Sequence, residues 1–161
     1  MAISWYSIFI INLGFQGEDP TTDFRGMGAF ALEQLHYFVT NRNEDAQTML
    51  TASHHPISWF SMALVCINMS AFVVDLLNTR RLHPTLYESY LQLIKPHHLQ
   101  FQSSLPFHVI HDFYCALNLE FVEKWQAGPK TVMEFESFFN EFKDLIRQEL
   151  KLNYLKYLIK P

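Results

Sequence analysis

The chain has 161 residues, a formal net charge of −4, and 17% charged against 49% hydrophobic and 16% aromatic residues. That composition excludes a disordered polymer and leaves no basic excess to neutralise a nucleic-acid backbone. The length suits one domain with a full core, and the scarcity of charge points to apolar surface that meets a partner.

Arg80-Arg81 is the only dense basic pair, too small for a polybasic membrane anchor. Cys66 and Cys115 each fall inside an apolar helical stretch. Two scattered thiols suit a reducing compartment, the cytoplasm, and no disulfide framework is expected. Residues 3–13 are apolar, but they lack a basic n-region and a small-residue cleavage site and are too short to span a bilayer. They read as a packed segment.

From Met27 onward, apolar residues recur at helical spacing. Phe30, Leu32, Leu35, Tyr37 and Phe38 predict a helix to about Thr40. Asn43 is expected to cap a short helix through Ala46, Met49 and Leu50. Pro56 is expected in the first turn of a long helix reaching Leu77. Pro84 opens a helix that Pro96 stops. Pro106 starts another, which ends at Gly128-Pro129. Thr131 and Glu134 have the spacing of a capping box for a last helix carrying Phe135, Phe138, Phe139, Phe142 and Ile146. No run alternates with period two, so the expected fold is all-α, a single compact multi-helix domain.

Residues 57–74 carry no formal charge and approach transmembrane length. Ser58, Ser61, Asn68 and Ser70 lower their apolarity. The favoured reading is the central helix of a bundle, apolar all round because neighbours surround it.

The stretch 14–28 differs from everything else. It holds four of the five glycines, Gly14, Gly17, Gly26 and Gly28, with Asp19-Pro20 and Asp23 as turn formers. Gly26 and Gly28 lead into a helix whose first amide N–H groups attract anions. Beside that start, Arg25 offers a guanidinium fork suited to phosphate oxygens. On spacing alone, an ion pair of Arg25 with Asp19 or Asp23 remains the plainer alternative. Gly26-x-Gly28-x-x-Ala31 touches the dinucleotide fingerprint, but no strand precedes it and no βαβ unit follows.

Gly14-Phe15-Gln16-Gly17-x-Asp19-Pro20-x-Thr22-Asp23-Phe24-Arg25-Gly26-x-Gly28 closely resembles the hallmark loop of the ELMO (engulfment and cell motility) domain family, ELMOD-like branch. Leu32-x-x-Leu35-x-Tyr37-Phe38, His55-Pro56, Asn68, Trp125 and Met133-x-Phe135 extend the resemblance along most of the chain. It implies an all-helical ELMO-like domain over residues 1–161, with 14–28 as the hallmark loop. Two departures mark the start. Members usually carry a tryptophan where this chain has Ile10, and more helical chain ahead of the motif, so residues 1–12 read as an atypical or truncated beginning.

The ELMOD branch stimulates GTP hydrolysis by Arf and Arf-like small GTPases and requires the arginine of Asp-Phe-Arg-Gly. The scaffolding ELMO proteins, partners of DOCK exchange factors, lack it. The resemblance therefore implies a GTPase-activating domain with Arg25 as arginine finger. Gly17, Gly26 and Gly28 would shape the loop, Asp19 and Asp23 would hold it, and Gln16 would contact the partner's switch region or the attacking water. An arginine supplied in trans stabilises the charge that builds during phosphoryl transfer. The chain has no phosphate loop of its own. No cofactor is expected on it, because GTP and magnesium would arrive with the Arf-family partner, through which it would reach organelle membranes. The alternative is a non-catalytic scaffold or interaction module in small-GTPase and cytoskeletal signalling.

Other constellations carry less. His108, His111 and Cys115 share a helical face with metal-ligand spacing but lack a fourth ligand, so ordinary helix-face roles are favoured. His54-His55 and His97-His98 are expected to serve loops. The cysteines lack a basic neighbour to make a thiolate. Glu134, Glu136, Glu141 and Asp144 read as a solvated face.

Overall fold

Helical periodicity is realised throughout the computed structural model, which describes residues 27–94 and 105–152. Within them lie α1 (Gly28–Asn41), α2 (Asn43–Ser53), α3 (Met62–Asn78), α4 (His83–Ile94), α5 (Leu105–Gln126), a 3-10 turn (Val132–Glu134) and α6 (Phe135–Leu152), with no strand among the described residues. The expected all-α domain is therefore what forms.

The centre of the bundle is α3. Val65, Met69, Val73 and Leu76 are fully buried on it, because α1, α2 and α5 all pack against it. α5 in turn packs against α1, α2 and α4. α6 lays Phe139, Phe142, Ile146 and Leu150 inward and leaves Glu136, Glu141 and Asp144 exposed, the amphipathic division its spacing predicts. No single described helix is long and apolar enough to cross a membrane. α3 and residues 83–92 of α4 meet that test only together, across a bend of 92°.

Pro84 and Pro106 stand in the first turns of α4 and α5, and α5 ends two residues before Gly128-Pro129. The Glu134 carboxylate accepts from the Thr131 N–H at 2.8 Å and from its hydroxyl at 3.0 Å, closing the predicted capping box. Pro96 and His97-His98 lie outside the described residues.

Two expected helix starts are displaced. Asn43 is the first residue of α2 and not its cap, since Arg42 holds the cap position and the Asn43 amide donates to the Val39 carbonyl at 3.1 Å. Pro56 opens no helix. α3 begins only at Met62, where the Ser61 hydroxyl accepts from the Leu64 N–H at 3.1 Å. Residues 54–61 are held as a loop by bonds that cross the fold. The Trp125 indole N–H donates to the Ser58 carbonyl at 2.7 Å, and the Lys130 N–H donates to the Ser58 hydroxyl at 3.1 Å. His55 Nδ1 accepts from the Ser58 N–H at 2.9 Å, the loop service expected of it. After α3, Arg80 takes a left-handed conformation (φ 58°), the usual way to end a helix but commonly given to glycine.

Candidate functional site

Gln16, Gly17, Asp19, Asp23, Arg25 and Gly26 lie outside the described residues. Gly28 and the helix it begins are described. α1 starts at Gly28, whose φ of +51° is one that L side chains rarely adopt. A Cβ there would meet nothing within 4 Å, so backbone conformation and not crowding calls for glycine. The N-cap residue, Met27, makes no side-chain capping bond, and the first turn carries no acidic residue.

The start of α1 is clamped to the bundle centre, with Met27 packed against Ala31 and against Ile67 of α3. The rest of α1 is tied to α5. The His111 ring stacks on Tyr37 at 4.9 Å and on Phe30 at 6.3 Å between centroids. The Tyr37 hydroxyl donates to Asp112 at 3.1 Å. Arg42 donates to the same carboxylate oxygen from Nε at 3.3 Å and from Nη2 at 3.1 Å. Burial and the adjacent Asp112 charge push the Tyr37 phenol up to about 12, so it remains a donor at any ordinary pH. Burial holds the His111 imidazole below its ordinary value, with nearby Glu33 opposing.

One residue of α1 gave no signal in the sequence. Gln34 is completely buried, and neither atom of its amide has a hydrogen-bond partner; His111 Nδ1 is likewise buried and unpaired. A glutamine on an amphipathic helix reads as solvated, and only the fold shows otherwise.

Among the described residues, no three His, Cys, Asp or Glu side chains gather as metal ligands. His108 is exposed beside the Tyr37 ring, while His111 and Cys115 are buried in the core. Burial pushes the Cys66 thiol up to about 12 and the Cys115 thiol higher still, which leaves neither a nucleophile. The helix that the glycine pattern enters is followed by another helix, α2, and among the described residues no βαβ unit follows it. An open groove of about 570 Å³ runs between α3 and α6, with Asn68, Phe72, Asp75, Phe139, Lys143 and Arg147 in its walls. The Arg147 charge is already met there by Asp75 at 3.0 Å and Asp144 at 2.8 Å.

The described residues form an all-helical bundle, and a glycine-rich sequence containing Arg25 precedes its first described helix. The model of the ELMO/CED-12 family matches residues 11–139, from that sequence through α5 into the first turn of α6, and the chain belongs to this family.

Over 137 residues the chain is 35% identical to ELMO domain-containing protein 2 of Bos taurus, an alignment covering 84% of this chain and 43% of that protein. It is 33% identical over 143 residues to ELMO domain-containing protein B of Dictyostelium discoideum, covering 87% and 44% respectively. With ELMO domain-containing protein 1 of Mus musculus it shares 31% over 157 residues, covering 86% and 45%. The chain thus spans less than half the length of these relatives. No solved structure matches it.

Proposed function

We propose that this chain is a GTPase-activating domain for an Arf-family small GTPase, acting through Arg25 as an arginine finger. The observation that carries the reading is Arg25 itself, in an Asp23-Phe24-Arg25-Gly26 sequence inside the matched family segment. The start of α1 supports it. Arg25 stands three residues before Gly28, the left-handed first residue of α1, and that helix start packs against Ile67 of α3 through Met27 and Ala31.

In this reading the guanidinium crosses to the partner's nucleotide and stabilises charge on the transferring phosphoryl group, a contribution of roughly 10³ to 10⁵ in rate. Gly17, Gly26 and Gly28 shape the loop, Asp19 and Asp23 hold it, and Gln16 meets the switch region or the attacking water. GTP and magnesium belong to the partner. The chain works in the cytoplasm and reaches organelle membranes through that GTPase. Single-turnover GTP hydrolysis by a panel of Arf and Arf-like GTPases, with and without the chain, tests the proposal. Acceleration of at least one member is expected, and none across the panel would overturn it.

A second reading, a non-catalytic interaction module, is favoured by one feature. Ile57, Trp59 and Met133 are large apolar side chains left exposed, with Met133 88% accessible. A module of that kind would bind a GTPase without changing its hydrolysis rate.

A further inference from the structure

Helix α3 ends on an arginine in a conformation that glycine takes more easily. The N–H groups of Thr79, Arg80 and Arg81 donate to the carbonyls of Asp75, Leu77 and Leu76 at 2.9, 3.0 and 3.0 Å, and this closure holds Arg80 at φ 58°. The backbone itself thus meets three carbonyls of the last turn, and neither arginine side chain is needed to cap it. Both residues are exposed, and the described ion pairs all lie elsewhere. Leu82 and Thr85 are buried, which pins the turn, while His83 and Tyr87 stay exposed on successive turns of α4, Tyr87 by 66%. α3 and α4 meet at 92°, so the arginines stand at a corner of the bundle.

The last turn of α6 lies at the same end. α6 runs alongside α3, since its Phe135 meets Trp125 beside Phe60 at the start of α3, and its Arg147 bonds Asp75 at 3.0 Å near the end. Lys151 and Leu152, about a turn beyond Arg147, are exposed, Leu152 by 83%. Asp75 and Asp144 are neutralised by Arg147, and Glu88 and Glu149 are only partly exposed. This end is therefore cationic on a chain whose net charge is −4. We propose that it is a docking surface for an anionic lipid bilayer, with Arg80, Arg81 and Lys151 at the headgroups and Tyr87 and Leu152 in the interface. Unpaired cations complement a negative surface, and a tyrosine and a leucine beside them suit the headgroup boundary. A projecting corner fits a flat partner, where a groove would suit a peptide. Three cations make a weak contact and not an anchor. Ile67, which receives the start of α1, lies about 20 Å along α3 from Arg80, so a GTPase at that start leaves the corner free. That consequence rests on the GTPase-activating reading; the lipid contact does not.

Vesicle co-sedimentation with the full chain at low salt tests this, using phosphatidylcholine alone and equal parts phosphatidylcholine and phosphatidylserine. Wild-type chain is expected on the mixed vesicles only, and added salt should release it. Arg80→Gly removes a cation at a position whose backbone suits glycine, so the melting temperature should hold or rise. Its partitioning should still fall about fivefold, the worth of one basic residue near an anionic surface. Arg80→Gly combined with Arg81→Ala should lower partitioning more than about tenfold. Lys124→Ala removes one charge at the opposite end of the bundle, beside Glu120, and is expected to leave partitioning unchanged. Absence of the wild-type chain from the mixed vesicles would overturn the proposal. So would equal losses in Arg80→Gly and Lys124→Ala, because net charge and not the corner would then govern binding. Unchanged partitioning in the double variant with weakened binding to a GTPase would also overturn it, assigning the corner to a protein partner. No GTPase enters the vesicle assay, so the lipid contact and the GTPase-activating reading fail separately.

Discussion

The two ends of α5 are built from opposite materials. At its C-terminal end, Phe121 and Trp125 stack on each other at 5.8 Å, and Phe60, Phe135, Phe138, Phe139 and Phe142 crowd around them. The Trp125 indole N–H, the main polar group there, is satisfied by the Ser58 carbonyl. Toward its N-terminal end, α5 meets α1 through His111, Asp112, Tyr37 and Arg42, a seam of polar and titratable groups in which His111 Nδ1 is left unpaired. The aromatic end gains stability from area and ring geometry. The polar end gives up some of that gain and holds the helix that carries the loop. Stability and the proposed activity thus sit at opposite ends of one helix.

Trp125→Ala should do the most damage. It removes a fully buried ring and its anchor on the 54–61 loop, at a cost of about 3–5 kcal/mol in urea denaturation. A loss below about 1 kcal/mol would mean that the aromatic end is not the stabilising one. In the seam, Tyr37→Phe deletes the bond to Asp112 and should cost about 1–2 kcal/mol in the same assay, leaving Arg42 paired.

Lys130→Met probes a polar clasp at the aromatic end. The ammonium donates to the carbonyls of Trp125 at 3.0 Å and Lys124 at 3.1 Å and lies 5.0 Å from the Phe138 ring centre. Its loss should cost about 1 kcal/mol, since those carbonyls can turn to water.

The smallest effect is a pH slope. Burial keeps the His111 pKa in the fold below the 6.5 of the unfolded chain. As pH falls through that value, the unfolded chain binds the proton first, so stability is full above it and declines below it. His111→Phe should flatten the change in urea midpoint between about pH 7.5 and about pH 5. An unchanged slope would place the titrating group elsewhere.

The sequence foretold the helices because their apolar spacing is local information. Phe135, Phe138, Phe139 and Phe142 announced α6, and Thr131 with Glu134 announced its start. It misplaced the start of α3 because Pro56 is locally compatible with a helix. What keeps 54–61 open is Ser58, bonded to Trp125 and Lys130 more than sixty residues away. Asn43 misled in a similar way, since its amide turned back to α1. Of the candidate site, the motif chemistry of Arg25 and the conformational demand at Gly28 were legible, and Gly28 is the one member within the described residues. The burial of Gln34 was not, because a polar residue on an amphipathic helix looks the same in sequence whether it is solvated or buried.

The central claim is that Arg25 acts by its fork of donors and not by charge alone. Single-turnover GTP hydrolysis by a responsive Arf-family GTPase, with wild-type chain and with Arg25→Lys of equal helicity, tests it most directly. Lysine keeps the positive charge and loses the planar bidentate geometry. Stimulation should fall by about two orders of magnitude or more, with binding to the GTPase retained. Stimulation that survives Arg25→Lys at near wild-type rate would contradict the arginine-finger reading.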